Sequence, residues 1–103
     1  MNPDRRLYEI ACSFPALRNK RVRDGRIPGI TPTDFLDLDL ADWLYQGGGG
    51  LLSHGEFLIL EALLNLCNPQ QHPRFNLGEA LQVLDPDNMH ALLQGIARVY
   101  NRT

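Results

Sequence analysis

The sequence lacks a long hydrophobic run. Its longest nearly apolar stretch, residues 57–66, covers 10 residues and includes Glu61 and Asn65. Because a membrane-spanning helix needs about 20 apolar residues, this stretch predicts a buried helix and no membrane partner. The N-terminal region has no apolar segment behind a basic start, so we expect no secretory signal peptide and a cytoplasmic location.

The sequence also has little cysteine. Its two cysteines, Cys12 and Cys67, stand 55 positions apart and do not form the disulfide framework of a small secreted domain. Cys67 and His72 have the spacing of a zinc-ligand pair, with His54 and His90 elsewhere, but a structural zinc site draws on two close pairs. We therefore expect two buried, inert thiols, no metal and no cofactor.

Internal repeats and strand signals are scarce as well. The period-two alternation of residues 36–40 places Asp between leucines, and Asp is poor in strands. A chain of 103 residues has room for one core, and 44% apolar residues with a net charge of −2 exclude wholesale disorder. We therefore expect a single helical domain over residues 1–103.

The clearest helix signal is a capping box. Ser53 and Glu56 have the S-x-x-E spacing, and Leu52 with Phe57 forms a hydrophobic staple around it. The helix that follows, to about residue 67, is apolar nearly all round. A helix with so little polar surface is central in a core or buried at a subunit interface.

Another staple pattern lies upstream. Thr31 as the cap, with Ile30 and Phe35 as the staple, predicts a helix over residues 32–46 that Gly47 ends. The glycine run that begins there is not followed by the Lys and Ser or Thr of a phosphate-binding loop, so we expect a flexible joint. The acidic run in this helix does not match an EF-hand calcium loop.

Three further capped starts predict the remaining helices. Residues 2–4 begin a first helix, Asn76 precedes a short helix over residues 77–84, and Asp85 begins the last helix. The predicted fold is therefore all-α, a compact bundle of four to five helices around the central apolar helix at about residues 54–67. The pattern leaves residues 15–29 open between a basic arm and a short helix.

Charge is divided between the two parts of the chain. Residues 1–33 sum to +4, and residues 34–103 sum to −6. The strongest surface signal is a basic patch of five residues: Arg18, Lys20, Arg21, Arg23 and Arg26. Such a patch can contact phosphates, but no aromatic residue interleaves with it and the domain is acidic overall. Its other use is pairing with the acidic helix 32–46, within the chain or between subunits.

No residue pattern in the sequence amounts to a catalytic constellation, so we expect that the protein is not an enzyme. The first hypothesis is a non-catalytic protein–protein interaction (adaptor or accessory) protein that self-associates. Aromatic side chains dominate interface energetics, and four are the expected anchors: Trp43, Tyr45, Phe57 and Tyr100.

Two other hypotheses stay open at this point. One is a nucleic-acid-associated regulator that uses the basic segment 18–26. The other is an enzyme or metal protein that uses His54, Glu56 and Glu61, or Cys67, His72 and His90. Glu61 would have a raised pKa and could act as an acid or base if it were buried in an apolar cleft. One carboxylate without a partner supports catalysis only weakly.

Overall fold

The computed structural model describes residues 3–17 and 21–101, and this part of the chain is a bundle of five α-helices without β-strands. The helices are α1 (Pro3–Ser13), α2 (Asp37–Tyr45), α3 (His54–Cys67), α4 (Leu77–Val83) and α5 (Pro86–Tyr100), with a 3-10 helix, Gly48–Leu51, between α2 and α3. The predicted all-α fold is thereby confirmed. No helix in these two ranges is both long and apolar enough for a membrane span.

Helix α3 is the centre of the bundle. Residues 58–64 are all buried, and each of the other four α-helices contacts α3. The predicted capping box is present: the Glu56 amide donates to Ser53 Oγ at 3.1 Å, and the Ser53 amide donates to Glu56 Oε1 at 2.8 Å. The apolar surface that singled this helix out is thus covered by the chain's own helices.

Helices α1 and α5 close one side of the bundle. Leu7, Ile10 and Phe14 of the first segment are buried. Gly95 of α5 allows the close approach, because a β-carbon there would lie 2.7 Å from Ile10 Cγ2. The predicted cap of α5 is confirmed by the Asn88 amide, which donates to Asp85 Oδ1 at 2.8 Å.

The predicted start of α2 is wrong by five residues. The hydroxyl of Thr31 accepts from the Asp34 amide at 2.9 Å, but it closes a turn rather than a helix, and Ile30 pairs with Phe35 across an antiparallel bridge. Gly29 at φ +87° allows this path, and its carbonyl accepts from the Leu36 amide at 2.7 Å. The helix begins only after this turn, at Asp37.

The glycine run has a packed conformation rather than that of a flexible joint. A β-carbon at Gly48 would overlap the Trp43 indole, and one at Gly49 would overlap the Phe57 ring. These two glycines therefore let the backbone of the 3-10 helix lie directly on aromatic rings. Gly47 follows the last residues of α2 with φ +127°, which matches its predicted role in ending that helix.

The described residues between 15 and 29 form turns without a helix. Val22 and Ile27 are each 2% exposed and fix this segment to the core. The amides of Arg26 and Ile27 both donate to the Arg21 carbonyl, at 3.0 and 3.2 Å, which closes the turn between them. The polar side chains of this segment are therefore held outward by buried apolar neighbours.

Candidate functional site

A polar cluster lies where α2 meets α3. Glu61 is 9% exposed on an otherwise apolar stretch of α3, and the Tyr45 hydroxyl at the end of α2 donates to its Oε2 at 2.7 Å. The carboxylate that had no partner in the sequence analysis is therefore buried and has one. A buried carboxylate that lacked this donor would pay a desolvation cost without compensation.

Arg74 covers the outer side of this pair. Its guanidinium carbon lies 4.4 Å from the centre of the Tyr45 ring, and the Phe57 ring packs edge-on against the same tyrosine with 5.9 Å between ring centres. Burial and the hydrogen bond to the Glu61 carboxylate raise the pKa of Tyr45 above its usual value of 10.0. Tyr45 therefore remains a neutral hydrogen-bond donor at physiological pH.

A second polar contact joins α2 to the loop after α3. His72 is 8% exposed, and its Nε2 lies 2.6 Å from Asp37 Oδ2 at the first turn of α2. Asn65 Nδ2 of α3 donates to the His72 carbonyl at 2.9 Å. These contacts hold the loop, and with it Arg74, against the side of α2.

The two polar contacts border a shallow groove of about 240 Å³. It is lined by Leu38, Ala41, Tyr45, Gln71, His72, Pro73 and Arg74. Its floor is α2 and its wall is the loop after α3. Two of its polar groups are already bonded to residues outside the lining, the Tyr45 hydroxyl to Glu61 and the His72 ring to Asp37, while Leu38 is 60% exposed. Such a groove offers contact area to a protein chain more than it offers reactive groups to a small substrate.

Another groove, of about 330 Å³, lies where α3, α4 and α5 begin or end, and its lining includes Ser53, Glu56, Asp85 and Asn88. These are the capping residues of α3 and α5 together with Asn88, whose Oδ1 accepts from the Ala16 amide at 3.2 Å. The polar groups of this groove are engaged in holding helix starts and the chain after α1.

The four predicted aromatic anchors do not form one surface. Tyr45 and Phe57 contact each other in the polar cluster, and Trp43 lies half-buried against Gly48. Tyr100 is the last residue of α5 and is 82% exposed. Three of the four side chains are thus engaged in the bundle, and Tyr100 presents most of its surface to solvent.

The structure describes three of the five residues of the predicted basic patch; Arg18 and Lys20 lie outside the described residues. Arg21 is an intramolecular partner: its Nε lies 3.0 Å from Glu56 Oε2, so it joins the turn to the capping box of α3. Arg23 and Arg26 are exposed and make no ion pair with any described side chain. Among the described residues of the patch, the ion pair that forms within the chain thus joins Arg21 to α3 rather than to the acidic helix α2.

The candidate metal ligands are spread over the molecule. His54 Nε2 lies 3.0 Å from Glu79 Oε2, which joins α3 to α4, and His90 is exposed on α5. Within residues 3–17 and 21–101, no three His, Cys, Asp or Glu side chains are close enough to share a metal ion. Cys12 and Cys67 are half-buried rather than buried.

Sequence reasoning missed Arg74 and the pairing of His72 with Asp37. His72 was noted only as one member of a zinc-ligand spacing, and Arg74 stands alone between two helices. The one signal that could have drawn attention to Arg74 is that it is the sole arginine or lysine between positions 27 and 97, in a region of net negative charge. No local pattern indicates that it would stack on a tyrosine 29 positions away.

Large apolar side chains are exposed on three of the outer helices. The leucines concerned are Leu36 and Leu38 at α2, Leu77 and Leu81 on α4, and Leu93 on α5, each between 47% and 63% exposed. Leu77 and Leu81 are four positions apart and share a helix face. Among the described residues, the exposed leucines therefore lie on these outer helices and on the 3-10 helix, where Leu51 is 73% exposed, and not on α3.

Comparison with known proteins adds no relative. No protein-family model, no curated protein and no solved structure matches the chain.

Proposed function

We propose that the protein is a small, non-catalytic helical interaction protein that associates with a second copy of itself. The observation that carries the proposal is the placement of the exposed leucines: α3 is covered within the chain, whereas α2, α4 and α5 each present leucine to solvent. Burying one such side chain contributes about 1.5–3 kcal/mol, so a few of them supply useful binding free energy. The cytoplasmic location expected from the sequence is part of this proposal.

The surroundings of Glu61 support binding over catalysis. A general acid or base must lie within hydrogen-bonding reach of the group that it protonates or deprotonates. Glu61 Oε2 is already bonded to the Tyr45 hydroxyl, and Arg74 lies over the ring that carries this hydroxyl. The arrangement favours a carboxylate that fixes α2 onto α3, which is a structural role.

The mass of the full chain in solution tests self-association. Sedimentation equilibrium over a range of protein concentrations should give a mass above the 11.6 kDa of one chain that rises with concentration. Leu38→Gln on α2, Leu81→Gln on α4 and Leu93→Gln on α5 then identify the helix that carries the contact. A single species of one-chain mass over the whole range contradicts the proposal.

We propose contact with nucleic acid as the second candidate. The observation in its favour is that Arg23 and Arg26 are exposed and project from a closed turn. Binding of a duplex or a single strand should weaken steeply as salt is added and should fall in Arg23→Ala and Arg26→Ala. Absence of binding at low salt contradicts this candidate.

A further inference from the structure

Helix α2 presents a face that is both acidic and apolar. We call Leu36, Leu38, Asp39 and Asp42 the acidic α2 face. The two leucines are 51% and 60% exposed, and both aspartates are exposed as well. The first arginine or lysine before this face in the sequence is Arg26, and the first after it is Arg74, which is stacked on Tyr45. Neither Asp39 nor Asp42 has an ion-pair partner among the described side chains.

Residues 21–26 form a surface of the opposite charge, which we call the basic turn. Gly25 at φ +71° and the bonds to the Arg21 carbonyl close it, while Val22 is buried beneath it. Because the backbone is fixed in this way, Arg23 and Arg26 are held outward before any partner arrives. A contact made by a preorganised turn costs less ordering entropy than one made by a mobile arm.

The two surfaces lie on the same chain but do not pair with each other there. Arg21, the basic residue of the turn that makes an ion pair, pairs with Glu56 instead, at 3.0 Å. Arg23 and Arg26 on one side and Asp39 and Asp42 on the other thus carry opposite charges without an ion-pair partner among the described side chains. With three arginines and Asp24, residues 21–26 keep a net charge of +2. Opposite patches of this kind on one surface steer two copies toward each other.

We propose that the acidic α2 face of one copy binds the basic turn of a second copy. The inference rests on the proposed self-association and names the two surfaces that carry it. Exposed ion pairs contribute only about 0.2–1 kcal/mol each, so charge alone would give a weak contact. The aliphatic stems of the two arginines can lie on Leu36 and Leu38, which adds apolar burial to the ionic contact.

Each copy carries both surfaces, so the arrangement joins copies reciprocally in a pair or successively in a ring or chain. Salt sensitivity follows from the charges: association should be weaker at about 1 M salt, where the Debye length is about 3 Å, than at about 0.1 M, where it is about 10 Å. An association driven by leucine alone would not weaken in this way.

Charge exchange with mixing is the decisive experiment. In sedimentation velocity, the full-length double variants Asp39→Arg with Asp42→Arg and Arg23→Glu with Arg26→Glu should each associate about tenfold more weakly than the original chain. Each of them has lost two ion pairs and gained repulsion. An equimolar mixture should associate again, because the reversed α2 face of one variant now meets the reversed turn of the other. Recovery in the mixture also shows that both variants are folded.

Asp87→Arg is the matched control, since Asp87 is, like Asp39, an exposed aspartate in the first turn of a helix. It should leave association unchanged. If both double variants associate as strongly as the original chain, the inference is wrong while self-association stands. If the original chain is monomeric throughout, the inference and the proposed self-association are both wrong. If that monomer binds a DNA duplex and the variant Arg23→Glu with Arg26→Glu does not, the basic turn is assigned to nucleic acid.

Discussion

Helices α2 and α3 are both rich in leucine, yet they have opposite relations to solvent. Seven consecutive residues of α3, 58–64, are buried, whereas α2 buries Leu40 and Leu44 and leaves Leu38 60% exposed. Their starts differ too: a complete capping box precedes α3, whereas Leu36, the residue before α2, occupies the cap position without a side-chain bond. From apolar composition alone, one would predict that α3, and not α2, binds a partner.

The difference arises from the number of neighbours each helix has. Four helices surround α3, while α2 packs on α3 and on the adjoining 3-10 helix. An apolar side chain is available for binding only where the chain itself leaves it uncovered. The more apolar helix is thus the structural one, and the shorter, acidic helix is the better candidate for recognition.

The largest effect is expected in the core. Leu63 on α3 is fully buried, so Leu63→Ala should lower the free energy of unfolding by about 2–5 kcal/mol through lost burial and a residual cavity. Urea denaturation followed by circular dichroism measures this. Leu38→Ala on α2 is the matched control and should cost about 0.5 kcal/mol or less, while weakening self-association. Equal losses of stability would mean that α2 is as well covered as α3.

The polar bond between the two helices gives the next largest effect. Tyr45→Phe leaves the buried Glu61 carboxylate without the donor that lies 2.7 Å away, and we expect a loss of about 1–3 kcal/mol in the free energy of unfolding. Tyr100→Phe removes the same hydroxyl from a side chain that is 82% exposed and should change stability little. If the two variants unfold at the same urea concentration, the bond to Glu61 contributes nothing.

The same tyrosine predicts an alkaline limit to stability. Burial and the Glu61 carboxylate raise the pKa of Tyr45 in the folded state above 10.0, its value in the unfolded chain. The contribution is therefore fully present below pH 10.0 and is lost as the pH rises beyond it, because the unfolded chain then releases a proton that the folded chain retains.

Urea midpoints measured on either side of this pH should show the loss in the original chain and a smaller one in Tyr45→Phe. Tyr100→Phe serves again as the control and should keep the full alkaline loss. An identical alkaline profile in all three proteins would contradict the role assigned to Tyr45.

Local signals were enough to predict α3 but not α2. The Ser53–Glu56 box satisfies backbone groups that only a helix start exposes, so its sequence has one main structural outcome. Thr31 is different, because its hydroxyl accepts the amide three residues later in a turn as well as in a helix. Tertiary contacts favour the turn over the helix here. Ile30 and Phe35 are buried side by side, and Gly29 permits the hydrogen bond to Leu36.

The candidate site shows the same limit. The sequence analysis named Tyr45 as an interaction anchor and Glu61 as a lone carboxylate, without connecting them. Their hydrogen bond depends on how α2 packs against α3. His72 and Asp37 meet over 35 positions of chain, and no spacing rule connects them. Helix existence is set by neighbours in sequence, whereas these contacts are set by the packing of whole helices, which a single sequence does not specify residue by residue.

The caps of the two helices should have smaller effects on stability. Ser53→Ala removes the oxygen that accepts the Glu56 amide at 3.1 Å and should cost about 1 kcal/mol, measured by urea denaturation. Ser53→Gly is the control and should cost only a few tenths of that, since glycine leaves the backbone amides open to water. If Ser53→Gly loses as much stability as Ser53→Ala, the missing hydroxyl accounts for the loss, and access of water to the backbone amides does not reduce it.

The smallest effect should come from giving α2 the cap that α3 already has. Leu36 occupies the cap position with an extended backbone and no side-chain bond, so Leu36→Ser places a hydroxyl where the Asp39 amide can donate to it. We expect the free energy of unfolding to rise by about 0.5 kcal/mol, less than the loss at Ser53, because Asp37 and Asp39 already stabilise this helix start. Leu36→Ala removes the same exposed apolar surface without adding a hydroxyl, so stability should rise only in the serine variant. A gain shared by both variants would show that an exposed leucine, rather than a missing cap, is what sets α2 apart from α3.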